Sequence, residues 1–565
     1  MASTGGGRKL TWVQKDTLPQ REGLPAKVAG SVTSVEQART LAEKDEQVVG
    51  FAWNKPDNTF RFKKRGTGFH QRVPWRSDAV SCEWHYIEER SATRLLFCFL
   101  PMVGHVVPVM RLASWFVKRP GFEVHLWIGG IFKEYVPEGA IVHEEFGVEK
   151  MTEYADTWKD VMGSLSRAPD RDTSMELMLS EFDIDRKVGH SMHSLMKGAT
   201  QMAKQMRPDL VVTDVALTTG GCLAGLCARN NYTPIVKVLC PGLPSAVDSP
   251  SEDWYKARKT MTKTFEDFFK RQADLFKEIV GFQLQPPPTW WPELLPSSKA
   301  LVDSPPNPLE VFVGPFLPIV APQAGKCSRQ WREPPPDAKM DTGLRTWLMD
   351  SDDGSEPTRI IYVAFGTLVK VDEDIASRMV EGLVDGPWRV LWSLPESQQK
   401  FLPAHLREGP GCGSRRWRVE HFVPQAEVLG FAGVRAFFSH CGQNSTQEAM
   451  SWGVPMVCMP FYCDQYVWAN AVCKHGAGVE LDKLDADPLE IREAVANVLD
   501  DEKYRINAQA SADKMWEEGR TACDSSNGKP DELVGVRVAA NVIISALNGQ
   551  WKPNFPQEGG TSKSG

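Results

Sequence analysis

Between Phe422 and Gln465 the chain reads FVPQAEVLGFAGVRAFFSHCGQNSTQEAMSWGVPMVCMPFYCDQ, and its polar residues fall where a nucleotide sugar needs partners. A strand-like apolar run, Val434 to Ser439, stops at His440-Cys441-Gly442, and the helix-starting residues Asn444, Ser445 and Thr446 follow. A strand that turns through glycine into a helix N-terminus aims backbone N–H groups and the helix dipole at one spot, which suits a phosphate. The His440 imidazole and the Ser445 hydroxyl add donors for a diphosphate. Glu448, one turn further on, is acceptor-only when ionised and suits the two hydroxyls of a ribose. Asp464 and Gln465 follow a second strand, Val454 to Met459, with the acceptors and donors that a hexose needs.

A second constellation lies far upstream. The apolar run RLLFCFLP leads into Pro101-Met102-Val103-Gly104-His105, with Pro108 read as the proper start of the next helix. An acceptor hydroxyl must lose its proton as it attacks an anomeric carbon. An imidazole of ordinary pKa, about 6.5, is mostly neutral at cell pH and can take that proton. A carboxylate on the other ring nitrogen fixes the tautomer and steadies the imidazolium. Asp214 closes the strand-like run DLVVTD, at the carboxyl end of another strand of the same sheet. Taken singly, His105 reads as a turn or cap residue and Asp214 as the N-cap of the helix after it.

The elements that must position these residues alternate. RLLFCFLP, FEVHLWI, DLVVTD and TPIVKVL are short apolar runs of the kind buried on both faces of a parallel sheet, with helix-like stretches between them. The same alternation returns with RIIYVAF at 359–365, a Gly366-Thr367 turn, a helix over 372–385 and the strand WRVLWSL. It predicts doubly wound α/β architecture. Residues 1–90 form a small β-rich appendage of unknown role, in which Ser34 caps a helix over Val35 to Lys44. Residues 91–330 form the first α/β domain and 340–550 the second, joined by a Pro- and charge-rich linker. Residues 551–565 are read as a disordered tail.

The string from Phe422 to Gln465 resembles the donor signature of the family 1 UDP-dependent glycosyltransferases, the UGTs, in plant-type form, without a gap. PMVGHVVPVMRLA resembles the family's N-terminal motif. The resemblance implies a GT-B fold, two Rossmann-like domains facing a central cleft. It implies that Phe422 stacks on uracil and Gln425 sits near the base, that His440, Gly442, Asn444 and Ser445 hold the diphosphate, that Glu448 holds the ribose, and that Asp464 and Gln465 hold the sugar. Thr367 would meet the diphosphate, His105 would be the general base and Asp214 its partner. The implied reaction is inverting transfer of a hexose, with Gln465 pointing to glucose, from a UDP-sugar to a small apolar acceptor. Two positions depart from the pattern: Phe422 and Gln443 stand where the family usually has Trp. The family's donor-contacting Thr in the first domain falls near Cys240. The alternatives are a non-catalytic sugar-nucleotide-binding protein, or another GT-B enzyme such as a sugar-nucleotide epimerase. A terminal helix over 532–548 is expected to cross back to the first domain, as it often does in this family.

Composition narrows the remaining classes. A net charge of -7 over 565 residues argues against nucleic acid or an anionic membrane as the main partner. No segment offers the roughly 18 unbroken apolar residues of a membrane span. The opening MASTGGGRKLTW lacks the apolar core of a secretory signal, so a cytoplasmic setting is expected; the protein is also expected to be a monomer. Several of the 12 cysteines, Cys98, Cys240, Cys441 and Cys458 among them, sit in apolar runs, and Cys222 with Cys227 completes no zinc pattern. Asp-x-Asp triplets at Asp183, Asp350 and Asp485 follow no strand-like run. No metal and no cofactor is expected, the UDP-sugar being the donor substrate.

Overall fold

The fold is a computed structural model that describes residues 10–15, 34–38, 48–54, 59–64, 82–89, 92–99, 102–127, 130–143, 148–181, 186–191, 198, 202, 206, 208–214, 234–238, 291–302, 308–316, 340–350, 359–407, 415–524 and 534–553. Cys222, Cys227, Cys240, the Asp183 triplet, the linker up to residue 339 and the tail from 554 lie outside the described residues. So do most of residues 1–90.

The appendage contributes β1 (Leu10–Lys15), β2 (Val48–Asn54), β3 (Thr59–Lys64) and β4 (Cys82–Glu89). They form an antiparallel sheet in the order β1-β4-β2-β3. Ser34 caps the turn that follows it: its Oγ accepts the Gln37 N–H at 3.2 Å.

The first α/β unit holds β5 (Thr93–Cys98), α1 (Val103–Val117), β6 (Phe122–Trp127), β7 (Ile141–Val142), α2 (Val148–Ser166), α3 (Arg171–Glu181), β8 (Leu210–Asp214), β9 (Ile235–Val238), β10 (Glu293–Leu295) and β11 (Glu310–Phe312). All these strands run parallel, in the order β11-β10-β9-β8-β5-β6-β7. Leu95, Leu96, Phe97 and Cys98 are all buried, as a strand with helices on both faces requires. The chain leaves β5 toward β6 and β7 and returns on β5's other edge as β8. That reversal makes a crevice at the carboxyl ends of β5 and β8, where open α/β sheets bind ligands. His105 follows β5 and Asp214 ends β8, so the crevice receives both.

The second α/β unit contains α4 (Thr342–Met349), β12 (Ile360–Ala364), α5 (Glu373–Val384), β13 (Arg389–Ser393), β14 (Trp417–Glu420), α6 (Gln425–Leu429), β15 (Val434–Ser439), α7 (Gln443–Ser451), β16 (Met456–Cys458), α8 (Gln465–Lys474), β17 (Gly478–Glu480), α9 (Pro488–Asp500), α10 (Glu502–Asp524) and α11 (Val534–Leu547). Its parallel sheet runs β14-β13-β12-β15-β16-β17. The order reverses between β12 and β15, which places the Gly366-Thr367 turn and the His440-Cys441-Gly442 turn side by side. Tyr362 and Phe437 stack across these two strands at 4.9 Å.

The helix that carries His105 differs from the sequence reading. It begins at Val103, and Pro108 lies inside it. Proline has no N–H for the carbonyl four residues earlier, and a ring there crowds that carbonyl. The carbonyl concerned is Gly104's, and it accepts the side-chain amide of Asn444 from the other α/β unit at 3.2 Å. The hydrogen bond that proline removes from the helix is replaced by one across the cleft.

The two units meet elsewhere as well. Ser166 Oγ accepts the Lys370 N–H at 3.1 Å, and Arg167 pairs with Asp372 at 3.3 Å. Tyr154, Trp158, Met162 and Leu165 of α2 belong to one apolar cluster with Val369, Val371 and Phe461 of the second unit. The final helix returns to the first unit, where Val536, Ala539, Ala540 and Ile543 join the core of α1 and β5. Among the described residues no helix is long and apolar enough to cross a membrane.

Gly535 shows how tightly that last helix is seated. A Cβ there would lie 2.5 Å from the carbonyl oxygens of Gly314 and Pro315, and backbone cannot swing aside as a side chain can. Gly535→Ala is therefore expected to lift α11 and destabilise the protein by about 1–3 kcal/mol, as other overpacking changes do. Thermal denaturation checks this, and an unchanged midpoint contradicts the packing.

Candidate active site at the interdomain cleft

The donor side is built on the turn after β15. Cys441 adopts φ 62, unusual for a residue with a Cβ, and costs about 1–3 kcal/mol unless its surroundings demand it. The Ser439 hydroxyl meets part of that cost by accepting the Cys441 N–H at 3.1 Å. Two glycines leave room for the His440 ring. A Cβ on Gly366 or on Gly442 would come within 2.8 Å or 2.7 Å of its Nε2. Gly366 also has φ +72, which glycine adopts without strain. Burial pushes the His440 pKa down to about 4, opposed by a hydrogen bond to the Ala364 backbone. The ring is therefore neutral at cell pH.

Gly442 is the N-cap of α7 and has no side chain to cap the helix, so ligands can approach its first turn. The Gln443 N–H in that turn donates to Asp464 Oδ2 at 3.2 Å. Ser445 and Glu448 lie on one face of α7, and Gln425 of α6 ties them together. Its amide donates to Glu448 Oε2 at 2.7 Å and to Ser445 Oγ at 3.0 Å, while its carbonyl accepts the Tyr362 hydroxyl at 3.2 Å. Burial raises the Glu448 pKa above its ordinary value. The positive charge of Arg111 and the Gln425 hydrogen bond oppose the rise, and Glu427 adds to it. The same burial, with the Glu448 charge, raises Tyr362.

The remaining sequence-predicted residues fall at the edges of this site. Phe422 is 61% exposed and offers an open aromatic face just ahead of α6. Thr367 is exposed in the turn after β12. Gln465 is buried, and its carbonyl accepts the Phe461 and Tyr462 N–H groups at 2.8 and 3.2 Å. That leaves its amide N–H₂ as the group it can offer a ligand. The Asn444 side-chain amide donates to the Gly104 carbonyl at 3.2 Å, a docking role that had no counterpart in the sequence reading. Gln443, in place of the usual Trp, is buried in the first turn of α7.

The base side faces these groups. His105 sits in the first turn of α1 and is buried. Asp214 ends β8, whose register sets Cys98 of β5 beside Thr213, one residue short of it. Its side chain lies outside the described residues. Burial pushes the Asp464 pKa up to about 6, and the charges of His105 and Arg171 hold it back. The carboxylate predicted to hold the sugar and the predicted base are thus within electrostatic reach of each other across the cleft. Helix α3 closes the same corner, with Met178 Sδ lying 3.5 Å from Cys463 Sγ. Among the described residues no group of three His, Cys, Asp or Glu side chains is placed to hold a metal ion.

Sequence reasoning missed Gly366, Tyr362, Arg111 and the buried pair Ser297 and Ser298. Gln447 of α7 donates to Ser297 Oγ at 2.8 Å and accepts the Ser298 N–H at 3.3 Å. Ser298 Oγ donates to Glu518 of α10 at 2.7 Å. Pro108 was the available signal for the interdomain bond, because a proline five residues into a helix marks a carbonyl that must find another donor.

Residues 344–512 match the family described as UDP-glucoronosyl and UDP-glucosyl transferase. UDP-glycosyltransferase 76H1 of Stevia rebaudiana is 35% identical over 192 residues, covering 30% of this chain and 44% of that protein. Anthocyanidin 3-O-glucosyltransferase UFGT of Vitis vinifera is 35% identical over 133 residues, 23% of this chain and 27% of that protein. The chain thus spans less than half the length of these relatives. The likeness to solved structures extends further but is one of fold. The calicheamicin glycosyltransferase CalG4 aligns with TM-score 0.51 and 19% identity, over 82% of this chain and 100% of its own. Os79 of O. sativa aligns with TM-score 0.52 and 19% identity, over 80% of this chain and 100% of its own.

Two parallel α/β sheets with their switch points turned to one cleft define a GT-B glycosyltransferase fold. The family match lies within the second α/β unit and includes the donor signature.

The Asp464 environment makes a prediction of sign. Its pKa rises from an ordinary 3.8 to about 6 on folding, so the folded state holds the extra proton between those values. This group's contribution to stability is therefore greatest below about pH 4 and declines as pH rises toward 6. Asp464→Asn removes that dependence. The melting temperature of the variant relative to wild type should rise between pH 4.5 and 7.5 in ligand-free protein. Parallel melting curves would contradict the assignment.

Proposed function

We propose that this chain is an inverting hexosyltransferase that moves a sugar, glucose by preference, from a UDP-sugar to a hydroxyl of a small apolar acceptor. The observation that carries the reading is the opposition of His105 to the donor signature across a cleft where both sheets reverse their strand order. His105 accepts the acceptor's hydroxyl proton, and Asp214 stabilises the resulting imidazolium. The freed oxygen attacks C1 of the sugar from the face opposite the leaving group, and the bond from C1 to the UDP oxygen breaks. The departing diphosphate carries away the electron pair and is received by the first turn of α7, His440, Ser445 and Thr367. Glu448 accepts the ribose hydroxyls, Phe422 stacks on uracil, and Asp464 with Gln465 holds the sugar.

Glucose is supported by Gln465 and by the glucosyltransferase named among the relatives. An apolar acceptor is supported by the lining that α2 brings to the cleft, with Tyr154, Trp158 and Met162 in one cluster with Phe461. A cytoplasmic setting, independence of metal and a monomeric state complete the reading.

UDP release measured over a panel of phenolic, terpenoid and sterol acceptors with several UDP-sugars tests it. His105→Ala should lower turnover by about 10²–10⁴, the usual worth of a general base, while UDP still binds. Unchanged turnover would remove His105 from the mechanism. Absence of UDP release from every pair, in folded wild-type protein, would overturn the transferase reading.

A further inference from the structure

We propose that Lys483 is a positioning residue for the sugar end of the donor site: through the Phe461–Tyr462 peptide group, its ammonium holds the Gln465 amide ready for a sugar hydroxyl. This rests on the reading of Gln465 as a sugar-binding residue. Lys483 lies beyond the donor signature, and the proposed mechanism gives it no part.

Sheet order brings Lys483 to that place. β16 and β17 are parallel neighbours, with Cys458 beside Glu480 at their carboxyl ends. The turn after β16 carries Phe461 to Gln465 and the turn after β17 carries Lys483, so both leave the same edge of the sheet. The second turn is firmly built. Asp482 Oδ1 accepts the Leu484 and Asp485 N–H groups at 2.7 and 3.1 Å, and Arg378 of α5 donates to the Lys483 carbonyl at 2.9 Å. Lys483 is 1% exposed, although Leu484 beside it is 41% exposed. Lysine is seldom buried so fully, because an ammonium taken out of water needs good partners.

Its partners belong to the sugar turn and the helix that continues it. Nζ donates to the Phe461 carbonyl and lies 5.7 Å from the Phe461 ring centre and 5.8 Å from that of Tyr466. Aromatic faces at that range attract a cation. The Phe461 carbonyl and the Tyr462 N–H are the two ends of one peptide group. That N–H donates to Gln465 Oε1 at 3.2 Å, and the Phe461 N–H donates to the same oxygen at 2.8 Å. A cation on the carbonyl polarises the peptide group, so its N–H donates more strongly, and the Gln465 amide is polarised in turn. The chain of bonds ends at the Gln465 N–H₂.

The proton on Lys483 therefore sets how strongly that amide donates. Burial lowers the Lys483 pKa to about 8, opposed by the charges of Asp482 on its own turn and of Asp170 from the first unit. Tyr466 of α8, whose hydroxyl donates to the Phe461 carbonyl at 3.4 Å, is kept protonated by burial and by the charges of Asp482, Asp170 and Glu480. Arg378 spends its guanidinium on Asp374 and on the Lys483 and Ala486 carbonyls.

Calorimetric titration of the full chain with UDP and with UDP-glucose, without acceptor, between pH 7 and 9.5 tests this. The ratio of the two affinities isolates the sugar from the nucleotide. The proteins are wild type, Lys483→Met, Lys483→Arg, Gln465→Ala and the Lys483→Met/Gln465→Ala double variant. Lys483→Met should lower the ratio at pH 7 about fivefold, the scale of one hydrogen bond, and leave UDP affinity unchanged. In wild type the ratio should fall as pH rises through about 8, where the ammonium loses its proton. Lys483→Arg, whose guanidinium stays charged, should flatten that fall. In the Gln465→Ala background Lys483→Met should cost nothing further. A wild-type ratio in Lys483→Met overturns the proposal. So does a loss shared equally by UDP, or a further loss in the Gln465→Ala background. If Lys483→Met does not fold, the wild-type profile decides, and a ratio flat from pH 7 to 9.5 overturns the proposal. A Gln465→Ala ratio equal to that of wild type overturns the sugar reading of Gln465, and the proposal falls with it.

Discussion

Helix α7 is shared between two domains, and the rest of the site depends on that sharing. Its first turn has Gly442 as N-cap and so no capping side chain. A helix end open to ligand needs support from elsewhere along its length. The first unit supplies it on two sides. Asn444 docks on the Gly104 carbonyl, and Gln447 exchanges hydrogen bonds with Ser297 and Ser298. The Gly104 carbonyl is available to a partner in the other domain because Pro108 cannot bond it within the helix. The proline thus couples the local structure of α1 to the docking of the donor-binding unit. The same helix start carries His105, so His105 and the start of α7 are registered to each other by one short stretch of chain.

Electrostatics follow from the closeness so produced. Asp464, Glu448 and His440 are each displaced toward their neutral forms, chiefly by loss of water. Such groups are poised for a ligand that replaces the lost solvent with fixed partners. On the proposed function a sugar and a ribose would bring hydroxyl donors to the two carboxylates, and a diphosphate would bring negative charge to the open end of α7 and to His440.

The donor half of the site was legible because the strand, turn and helix that build it are contiguous. His440, Asn444, Ser445 and Glu448 all lie within nine residues, so spacing on one helix states their relation. The α/β class was equally plain from runs such as RIIYVAF, which are buried along their whole length. What could not be read was anything set by the approach of one domain to the other. Gly366 reads as a turn glycine until the His440 ring is found against it. Asn444, assigned to the diphosphate by resemblance, is drawn to Gly104 by a neighbour 340 residues away in the chain. Pro108 was seen and misplaced, because proline at a helix start is the commoner arrangement.

The proposed function requires the two switch-point crevices to make one cleft, with donor on α7 and base on α1. A crystal structure of the protein with UDP bound decides this. The expected complex has the diphosphate at the first turn of α7 beside His440, the ribose hydroxyls on Glu448, and His105 on the facing wall with Asn444 still on the Gly104 carbonyl. A UDP molecule bound elsewhere, or one bound to α7 with the Asn444 to Gly104 bond broken and His105 turned out of the cleft, would contradict it.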